Sequence, residues 1–177
     1  MARAGRGAVR RWGLEGYRVV VDKQYLQFCS AHFITFKGAR EPLHGHNYHC
    51  SVAIEGDLAP DGYVLDFGDV KAAARRACAA LDHLVLLPGE SRELQVDRQG
   101  AAVQVRYREE RFLFPAADVA VLPLTNTTSE YLARYLAEQI LRALPQGELA
   151  HLRAIEVGVE EAPGQRAWYR RDLGAPR

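Results

Sequence analysis

The chain has 177 residues, of which 48% are hydrophobic and 25% charged, which is the composition of an ordinary globular protein. Its 23 basic residues nearly balance its 22 acidic residues, so no overall field favours nucleic acid or an anionic membrane as a partner. No apolar run approaches the roughly 20 residues of a membrane-spanning helix. The three cysteines lack CxxC spacing, which indicates reduced thiols in a cytoplasmic protein rather than a disulfide framework.

The chain begins with a basic segment, since residues 1–14 include several arginines and no acidic side chain. This segment lacks the apolar core of a secretory signal, and it is predicted to be a disordered tail. The remainder, residues 15–177, has the length of one domain with its own core, and a single domain is predicted there.

Two strands are predicted at the start of this domain. From Tyr17 to Phe33 the sequence alternates and favours β-branched and aromatic residues, which predicts one long strand or a bent pair. A loop containing Gly38 and Pro42 follows, and a second strand is predicted from His46 to Glu55.

Two amphipathic helices are predicted farther along the chain. Asp66 has the position of an N-cap, and apolar residues recur at spacings of three and four from Val70 to Leu81. The second helix is predicted to begin at Thr127, which has capping-box spacing with Glu130.

The remaining strands are predicted between the helices and after them. The stretch at about residues 90–122 is rich in strand-forming residues and has a turn at Gln99-Gly100, which predicts one or two inserted β-hairpins. Two closing strands are predicted at residues 154–161 and 167–171. Antiparallel strands with two helices on one face make an α+β fold.

Three histidines form a predicted metal site. His44 and His46 are separated by one residue at the start of a strand, so their imidazoles lie on one face of it. His32 ends the preceding strand, and an antiparallel turn would bring it beside this pair. Neutral imidazoles suit zinc, and three protein ligands leave a fourth position open, as in catalytic zinc sites. The alternative is a polar loop whose histidines bond to the backbone.

Four further residues carry side chains that can take part in catalysis or metal binding. Asp82 and His83 follow the first helix, and a carboxylate bonded to one ring nitrogen raises the basicity of the other. The alternative for this pair is a helix-capping role. His49 and Cys29 have the wrong strand parity to join His46 and His32, so both are predicted to face away from the metal.

Several motifs occur together in one order: FCSAHF at 28–33, HGHNY at 44–48, GYVLDFGDVK at 62–71, LDH at 81–83, TTSEYLA at 127–133 and VGVEEA at 157–162. This combination resembles the 6-pyruvoyl-tetrahydropterin synthase / 6-carboxytetrahydropterin synthase family. The resemblance implies a tunnelling fold, with a four-stranded antiparallel sheet and two helices on one side. It also implies homotrimers, commonly stacked into homohexamers, with active sites at subunit interfaces.

The resemblance also implies roles for particular residues. The family's zinc ligands match His32, His44 and His46, its catalytic pair matches Asp82 and His83, and its substrate-binding residues match Thr128 and Glu161. The family substrate is 7,8-dihydroneopterin triphosphate. Its side-chain hydroxyls would occupy the open position on Zn²⁺, which would lower their pKa.

One departure from the family pattern concerns the catalytic base. Family members that make 6-pyruvoyl or 6-carboxy pterins have a cysteine shortly before HGH, whereas this chain has Glu41 in the spacing E-x-x-H-G-H. That spacing is similar to a branch in which a glutamate replaces the cysteine and the product is 6-hydroxymethyl-dihydropterin, a folate precursor. The alternatives are a solvent-exposed loop charge at Glu41, and a 6-carboxytetrahydropterin product for queuosine and deazapurine synthesis.

The residues and the resemblance together predict a zinc-dependent pterin lyase that acts on 7,8-dihydroneopterin triphosphate. Two other function classes are alternatives to this lyase. The loss of the cysteine is compatible with a catalytically silent protein that binds zinc or pterin, but the intact Asp82-His83 pair argues against this. A purely structural zinc domain is disfavoured by the open coordination position. A further departure, Leu86-Leu87-Pro88 after the LDH motif, alters the predicted rim of the pocket together with the inserted hairpins.

Overall fold

The structure, a computed structural model, describes residues 16–174, so the predicted tail at residues 1–14 lies outside the described residues. The helices are α1 (Phe67–Ala79) and α2 (Ser129–Ala143). The strands are β1 (Tyr17–His32), β2 (Thr35–Phe36), β3 (Ala39–Arg40), β4 (His44–Gly56), β5 (Leu84–Pro88), β6 (Gln95–Gln99), β7 (Ala102–Tyr107), β8 (Glu110–Pro115), β9 (Val119–Leu122), β10 (Leu152–Ala162) and β11 (Gln165–Asp172).

The main sheet has the order β11-β10-β4-β1-β5-β9. The predicted four-stranded antiparallel sheet is present as its first four strands, and the α+β tunnelling fold is confirmed. Two parallel strands, β5 and β9, extend the sheet beyond β1, so the predicted strand count was too low. The short apolar run at Leu84–Pro88 has no alternation that would distinguish a buried strand from a loop.

Strand β1 is continuous but irregular, because its register with β4 shifts between Asp22 and Gln27. Extra residues in one strand of an antiparallel pair reverse which side chains face the core. Val21, before the irregularity, and Phe28, after it, are therefore both buried. In a regular strand, an odd-numbered and an even-numbered residue would face opposite sides of the sheet. His32 follows Phe28 with the same parity and points to the side of the sheet that the helices cover.

Both helices pack on one face of the sheet, α1 against β1 and β4, and α2 against β10 and β11. The Asp66 cap is confirmed, since its carboxylate accepts a 2.5 Å hydrogen bond from the Gly68 N–H. The Thr127 cap is wrong: α2 begins at Ser129, its N-cap is Thr128, and the Thr127 carbonyl instead accepts a bond from β1. Within residues 16–174, neither helix is long and apolar enough to span a bilayer.

The inserted stretch forms a separate antiparallel sheet in the order β6-β7-β8. The predicted turn at Gln99-Gly100 joins its first two strands, with Gly100 at a φ of 59°. A second apolar cluster attaches this sheet to the rest of the molecule through Phe33, Leu87 and Val105, all fully buried. Because Phe33 directly follows His32, the insertion is packed against the end of β1 that carries the histidine.

Candidate active site

The ends of three strands meet at one edge of the main sheet. Because β1, β4 and β10 are successively antiparallel, the last residue of β1, the first residues of β4 and the last residues of β10 lie together. His32 pairs directly with His44 in the ladder, and Ser30 pairs with His46. The first turn of α2 covers this edge, since Ser129 bonds to Glu161 of β10.

The three histidines form a compact cluster on the helix side of the sheet. Their ring centroids are 4.7 Å apart for His32 and His44, 5.3 Å for His32 and His46, and 4.9 Å for His44 and His46. One nitrogen from each ring lies within 4.8 Å of the other two. Zn–N bonds of about 2.0 Å place tetrahedral ligands roughly 3.4 Å apart, so small side-chain rotations would complete a zinc site.

Backbone carbonyls orient two of these rings. The Nδ1 of His32 is 2.9 Å from the Thr127 carbonyl oxygen, and the Nδ1 of His44 is 2.8 Å from the Pro42 carbonyl oxygen. A carbonyl only accepts hydrogen bonds, so both Nδ1 atoms carry the proton and both Nε2 lone pairs are available. Carbonyls that bond to one nitrogen while the other holds the ion are typical of metal-binding histidines.

Burial keeps the deepest histidine neutral. His32 is only 2% exposed, and desolvation lowers its pKa to about 4, against a smaller opposing effect of its bond to Thr127. The hydroxyl of Tyr48, 3.2 Å from Nε2 of His32, has its pKa raised well above the usual value by burial. Both groups are therefore uncharged at neutral pH, and a neutral imidazole is the form that binds a metal.

A cavity of about 560 Å³ opens from the histidine cluster. All the predicted site residues except Asp82 and His83 line it: His32, His44, His46, Glu41, Thr128 and Glu161. Glu41 reaches the cavity from the loop between β3 and β4, and Thr128 reaches it from the start of α2. The structure therefore gathers three imidazoles and the carboxylates of Glu41, Glu130 and Glu161 around one space of substrate size.

Sequence reasoning missed several residues of this cavity. Ser129 lines it, and its hydroxyl donates a 2.9 Å hydrogen bond to Oε2 of Glu161. Gln165 and Arg166, at the start of β11, line it as well. The run of three hydroxyl residues at 127–129 was the available signal: Thr127 was predicted as the helix cap and Thr128 as a substrate-binding residue, and Ser129 was given no role.

Asp82 and His83 lie elsewhere on the subunit. Their side chains are paired, with Nδ1 of His83 3.0 Å from Oδ2 of Asp82, and the imidazole is 81% exposed. The Cys29 N–H donates a 2.7 Å bond to Asp82 and is the main cause of that carboxyl's lowered pKa. Cys29 is on the opposite face of β1 from His32 and about 10 Å along the strand. Neither Asp82 nor His83 lines the cavity of its own chain.

His49 also lies on the opposite face of β4 from the metal cluster, as its parity predicted. Its Nε2 is 2.6 Å from Oδ1 of Asp22 on the neighbouring strand. This contact is the largest cause of the lowered pKa of Asp22. His49 is therefore a suitable control residue for the three clustered histidines, because it is on the same strand as two of them but bonds to a carboxylate instead of joining the cluster.

Comparisons with known proteins agree with this geometry. Residues 21–172 match the family model for 6-pyruvoyl tetrahydropterin synthase. A Methanocaldococcus jannaschii protein, provisionally named 6-carboxy-5,6,7,8-tetrahydropterin synthase, is 32% identical over 149 residues, which is 84% of this chain and 91% of that protein. A Pyrococcus abyssi protein with the same provisional name is 30% identical over 139 residues, which is 77% of this chain and 81% of that protein.

Solved structures give the same assignment. The structure of 6-pyruvoyl tetrahydropterin synthase from Plasmodium vivax is 31% identical, with a TM-score of 0.84, and covers 90% of this chain and 99% of that chain. Two further structures of the Plasmodium vivax enzyme, in which a catalytic glutamate is replaced by alanine or by cysteine, have the same TM-score of 0.84. This chain belongs to the 6-pyruvoyl tetrahydropterin synthase family and is a pterin synthase-like enzyme.

Proposed function

We propose that this enzyme is a zinc-dependent lyase that acts on 7,8-dihydroneopterin triphosphate, with Glu41 as its general base. The observation that carries the proposal is that Glu41 lines the same cavity as the three histidines and Glu161. The described residues fit Zn²⁺, since they offer three imidazoles in one cluster, two of them oriented by backbone carbonyls that bond to Nδ1 and leave Nε2 to face the ion. When bound, the ion would polarise the substrate's side-chain hydroxyls and lower their pKa.

Glu161 and Thr128 would hold the pterin ring. A carboxylate accepts two parallel hydrogen bonds from the guanidine-like edge of a pterin, as it does from arginine. Glu161 is held in place by Ser129, and Thr128 makes no capping bond with its side chain, which leaves its hydroxyl available to the ligand. This arrangement orients the substrate's side chain toward the histidine cluster, because both residues line the same cavity.

Glu41 would act on the side chain of the substrate. In a retro-aldol cleavage, the base removes the proton of the second hydroxyl, whose oxygen becomes the carbonyl of the released triphosphate aldehyde. The bond between the first and second side-chain carbons breaks, and its electron pair passes to the fragment that carries the pterin. A proton returned to the first carbon gives 6-hydroxymethyl-dihydropterin. Glu41 serves for both proton transfers, because a carboxylate accepts the proton in the first step and the carboxylic acid so formed donates it in the second.

Two observations favour different products. The Plasmodium vivax relative with a catalytic glutamate supports Glu41 as the base and hence cleavage to the hydroxymethyl product. The provisional names of the archaeal relatives favour 6-carboxytetrahydropterin, the second candidate, for queuosine and deazapurine synthesis. We favour 6-hydroxymethyl-dihydropterin, because the carboxylate of Glu41 suits the simple proton transfers of a retro-aldol cleavage. Folate synthesis would use this product.

Asp82 and His83 would enter the active site of a neighbouring subunit. Neither residue lines the cavity of its own chain, and the His83 imidazole is 81% exposed. A homotrimer or homohexamer with sites at subunit interfaces, as the family resemblance implies, brings such a pair to a second copy's cavity. The proposal also places the enzyme in the cytoplasm, where the free thiols of Cys29, Cys50 and Cys78 stay reduced.

Product analysis tests this function. The zinc-loaded enzyme is incubated with 7,8-dihydroneopterin triphosphate, and the pterin products are identified by mass spectrometry. We expect 6-hydroxymethyl-dihydropterin from the wild type, almost none from Glu41→Gln, and wild-type amounts from Glu109→Gln, an exposed carboxylate outside the cavity. A carboxy or pyruvoyl product would identify another branch, and turnover absent at full metal occupancy would refute the lyase.

A further inference from the structure

The hairpin β2–β3 carries Glu41 at its end and is held from several sides. Its two-residue turn has Lys37 at a φ of 51° and Gly38 at 75°, which is the backbone of a tight type I′ hairpin. The Glu41 N–H donates a 2.9 Å bond back to the Ile34 carbonyl and closes the hairpin. The hairpin is only two residue pairs long, too short to be stable without contacts to the rest of the protein.

The inserted sheet supplies contacts at the tip of this hairpin. The Gly38 carbonyl accepts a 2.8 Å bond from the Tyr107 hydroxyl and a 2.6 Å bond from the Arg108 guanidinium. Tyr107 is the last residue of β7, and Arg108 follows it in the turn to β8 with a φ of 53°. Tyr107 is buried, so its hydroxyl has a fixed position from which to hold the carbonyl.

A second contact holds the residue next to Glu41. The Arg40 guanidinium pairs with the Glu110 carboxylate through Nε at 2.7 Å and Nη2 at 2.5 Å, and its Nη1 donates a 2.6 Å bond to the Glu41 carbonyl. It also lies 4.8 Å from the centre of the Phe112 ring. Exposed ion pairs contribute little, and the Glu110 side chain is 51% exposed, but Arg40 is only 15% exposed. Two of its nitrogens converge on Oε2 of Glu110 while the third bonds to the Glu41 carbonyl, so the guanidinium restrains the backbone at Glu41.

We propose that the inserted sheet is a positioning device for the catalytic base, in which Glu110 acts through Arg40 and Tyr107 acts through Gly38. The proposal rests on the proposed function of Glu41. In this arrangement the turn between β7 and β8, about 70 residues away in sequence, fixes the position of the Glu41 carboxylate relative to the histidine cluster. Neither Glu110 nor Tyr107 lines the cavity, so both are positioning residues and not catalytic ones.

The test compares Glu110→Gln with Glu109→Gln. Both variants remove one exposed carboxylate from the same turn region, but only Glu110 pairs with Arg40 among residues 16–174. Because a misplacement of about 1 Å costs on the order of 100-fold in rate, we expect kcat of Glu110→Gln to fall about 10- to 100-fold. KM and bound zinc should stay at wild-type values, since the pterin and metal groups are not moved.

Hydrogen exchange supplies a readout that needs no substrate. We expect faster amide exchange in the segment 35–41 of Glu110→Gln and of Tyr107→Phe, and wild-type exchange in Glu109→Gln. An unchanged kcat in Glu110→Gln overturns the proposal, and so does a lowered kcat without faster exchange in the hairpin. Failure of the proposed function is separate, because full activity of Glu41→Gln would show that Glu41 is not the base whatever the exchange result.

Discussion

The hydroxyl of Ser129, the first residue of α2, donates a 2.9 Å hydrogen bond to Oε2 of Glu161, near the end of β10. This bond ties a helix to the strand that carries the proposed pterin anchor. Hydrogen bonds to charged groups contribute about 1.5–3 kcal/mol, so Glu161→Gln is expected to weaken pterin binding by about 10- to 100-fold. Ser129→Ala should weaken it less, because the carboxylate remains but is less firmly oriented.

Fluorescence titration with 6-hydroxymethyl-pterin measures both dissociation constants. Glu138→Gln is the control, because Glu138 is on the same helix but outside the cavity, in an ion pair with Arg134. Unchanged pterin affinity in Glu161→Gln would remove Glu161 from the proposed binding site.

Metal content separates the clustered histidines from their neighbour on the same strand. His44→Ala is expected to lose stoichiometric zinc, because a ligand of the proposed three-histidine site is removed. His49→Ala should keep it, since His49 lies on the other face and bonds to Asp22. Elemental analysis after dialysis gives the zinc content of each variant. Equal zinc in both variants would contradict the assignment of the metal site.

The residue pattern along each strand was enough to predict the histidine cluster. It was not enough to predict the contacts that position Glu41 or the location of Asp82. Strand parity placed His44 and His46 on one face, and the hairpin geometry brought His32 opposite His44. The bond between Arg40 and Glu110 had no sequence signal, because it joins strands β3 and β8, whose proximity depends on the packing of a separate sheet. The spatial separation of Asp82 from the cavity was equally inaccessible, since strand order is a long-range property.

Subunit mixing tests whether Asp82 and His83 serve a neighbouring chain. His83→Ala and Glu41→Gln are each expected to be nearly inactive as pure oligomers. If a site combines the cavity of one chain with the His83 of another, dissociation and reassembly of an equal mixture should restore activity toward about a quarter of the wild-type value. Activity that stays at the level of the separate variants would mean that both residues act within one chain, or that His83 has no catalytic role.

Acid stability is expected to depend on a charge network on the opposite sheet face. Arg170, and secondly Arg18, hold the pKa of Glu55 below its ordinary 4.5 by hydrogen bonding. A lowered folded-state pKa means that the stabilisation is complete above the unfolded value and is lost as the pH falls through the folded value. The free energy of unfolding of Glu55→Gln should therefore be lower than that of the wild type at neutral pH.

The difference between the two proteins should shrink below about pH 4.5, as the wild-type carboxylate takes up its proton. Urea titrations over a pH series measure it. Glu93→Gln, which changes an exposed carboxylate of the inserted region, should track the wild type at every pH. A Glu55→Gln curve parallel to the wild-type curve would show that the network contributes no pH-dependent stability.

Gly158 of β10 pairs in register with Trp168 of β11, and the indole covers the glycine. A Cβ built on Gly158 would lie 3.0 Å from three atoms of the ring, which is tighter than nine in ten Cβ contacts in proteins, so the indole would have to shift by a few tenths of an ångström. Gly158→Ala should therefore push the indole outward and destabilise the protein by about 1–3 kcal/mol, the usual cost of overpacking. Because β11 begins with Gln165 and Arg166 at the cavity wall, the displacement should also reduce pterin affinity.

Urea unfolding and tryptophan emission measure these effects, with a red shift expected as Trp168 becomes more hydrated. Gly147→Ala is the matched control, because a Cβ at Gly147 meets no atom within 4 Å and this variant should keep both the stability and the emission of the wild type. An unaltered spectrum and stability in Gly158→Ala would mean that β11 accommodates the added methyl group without loss of stability. In that case the contact between Gly158 and Trp168 would not hold Gln165 and Arg166 at the cavity wall.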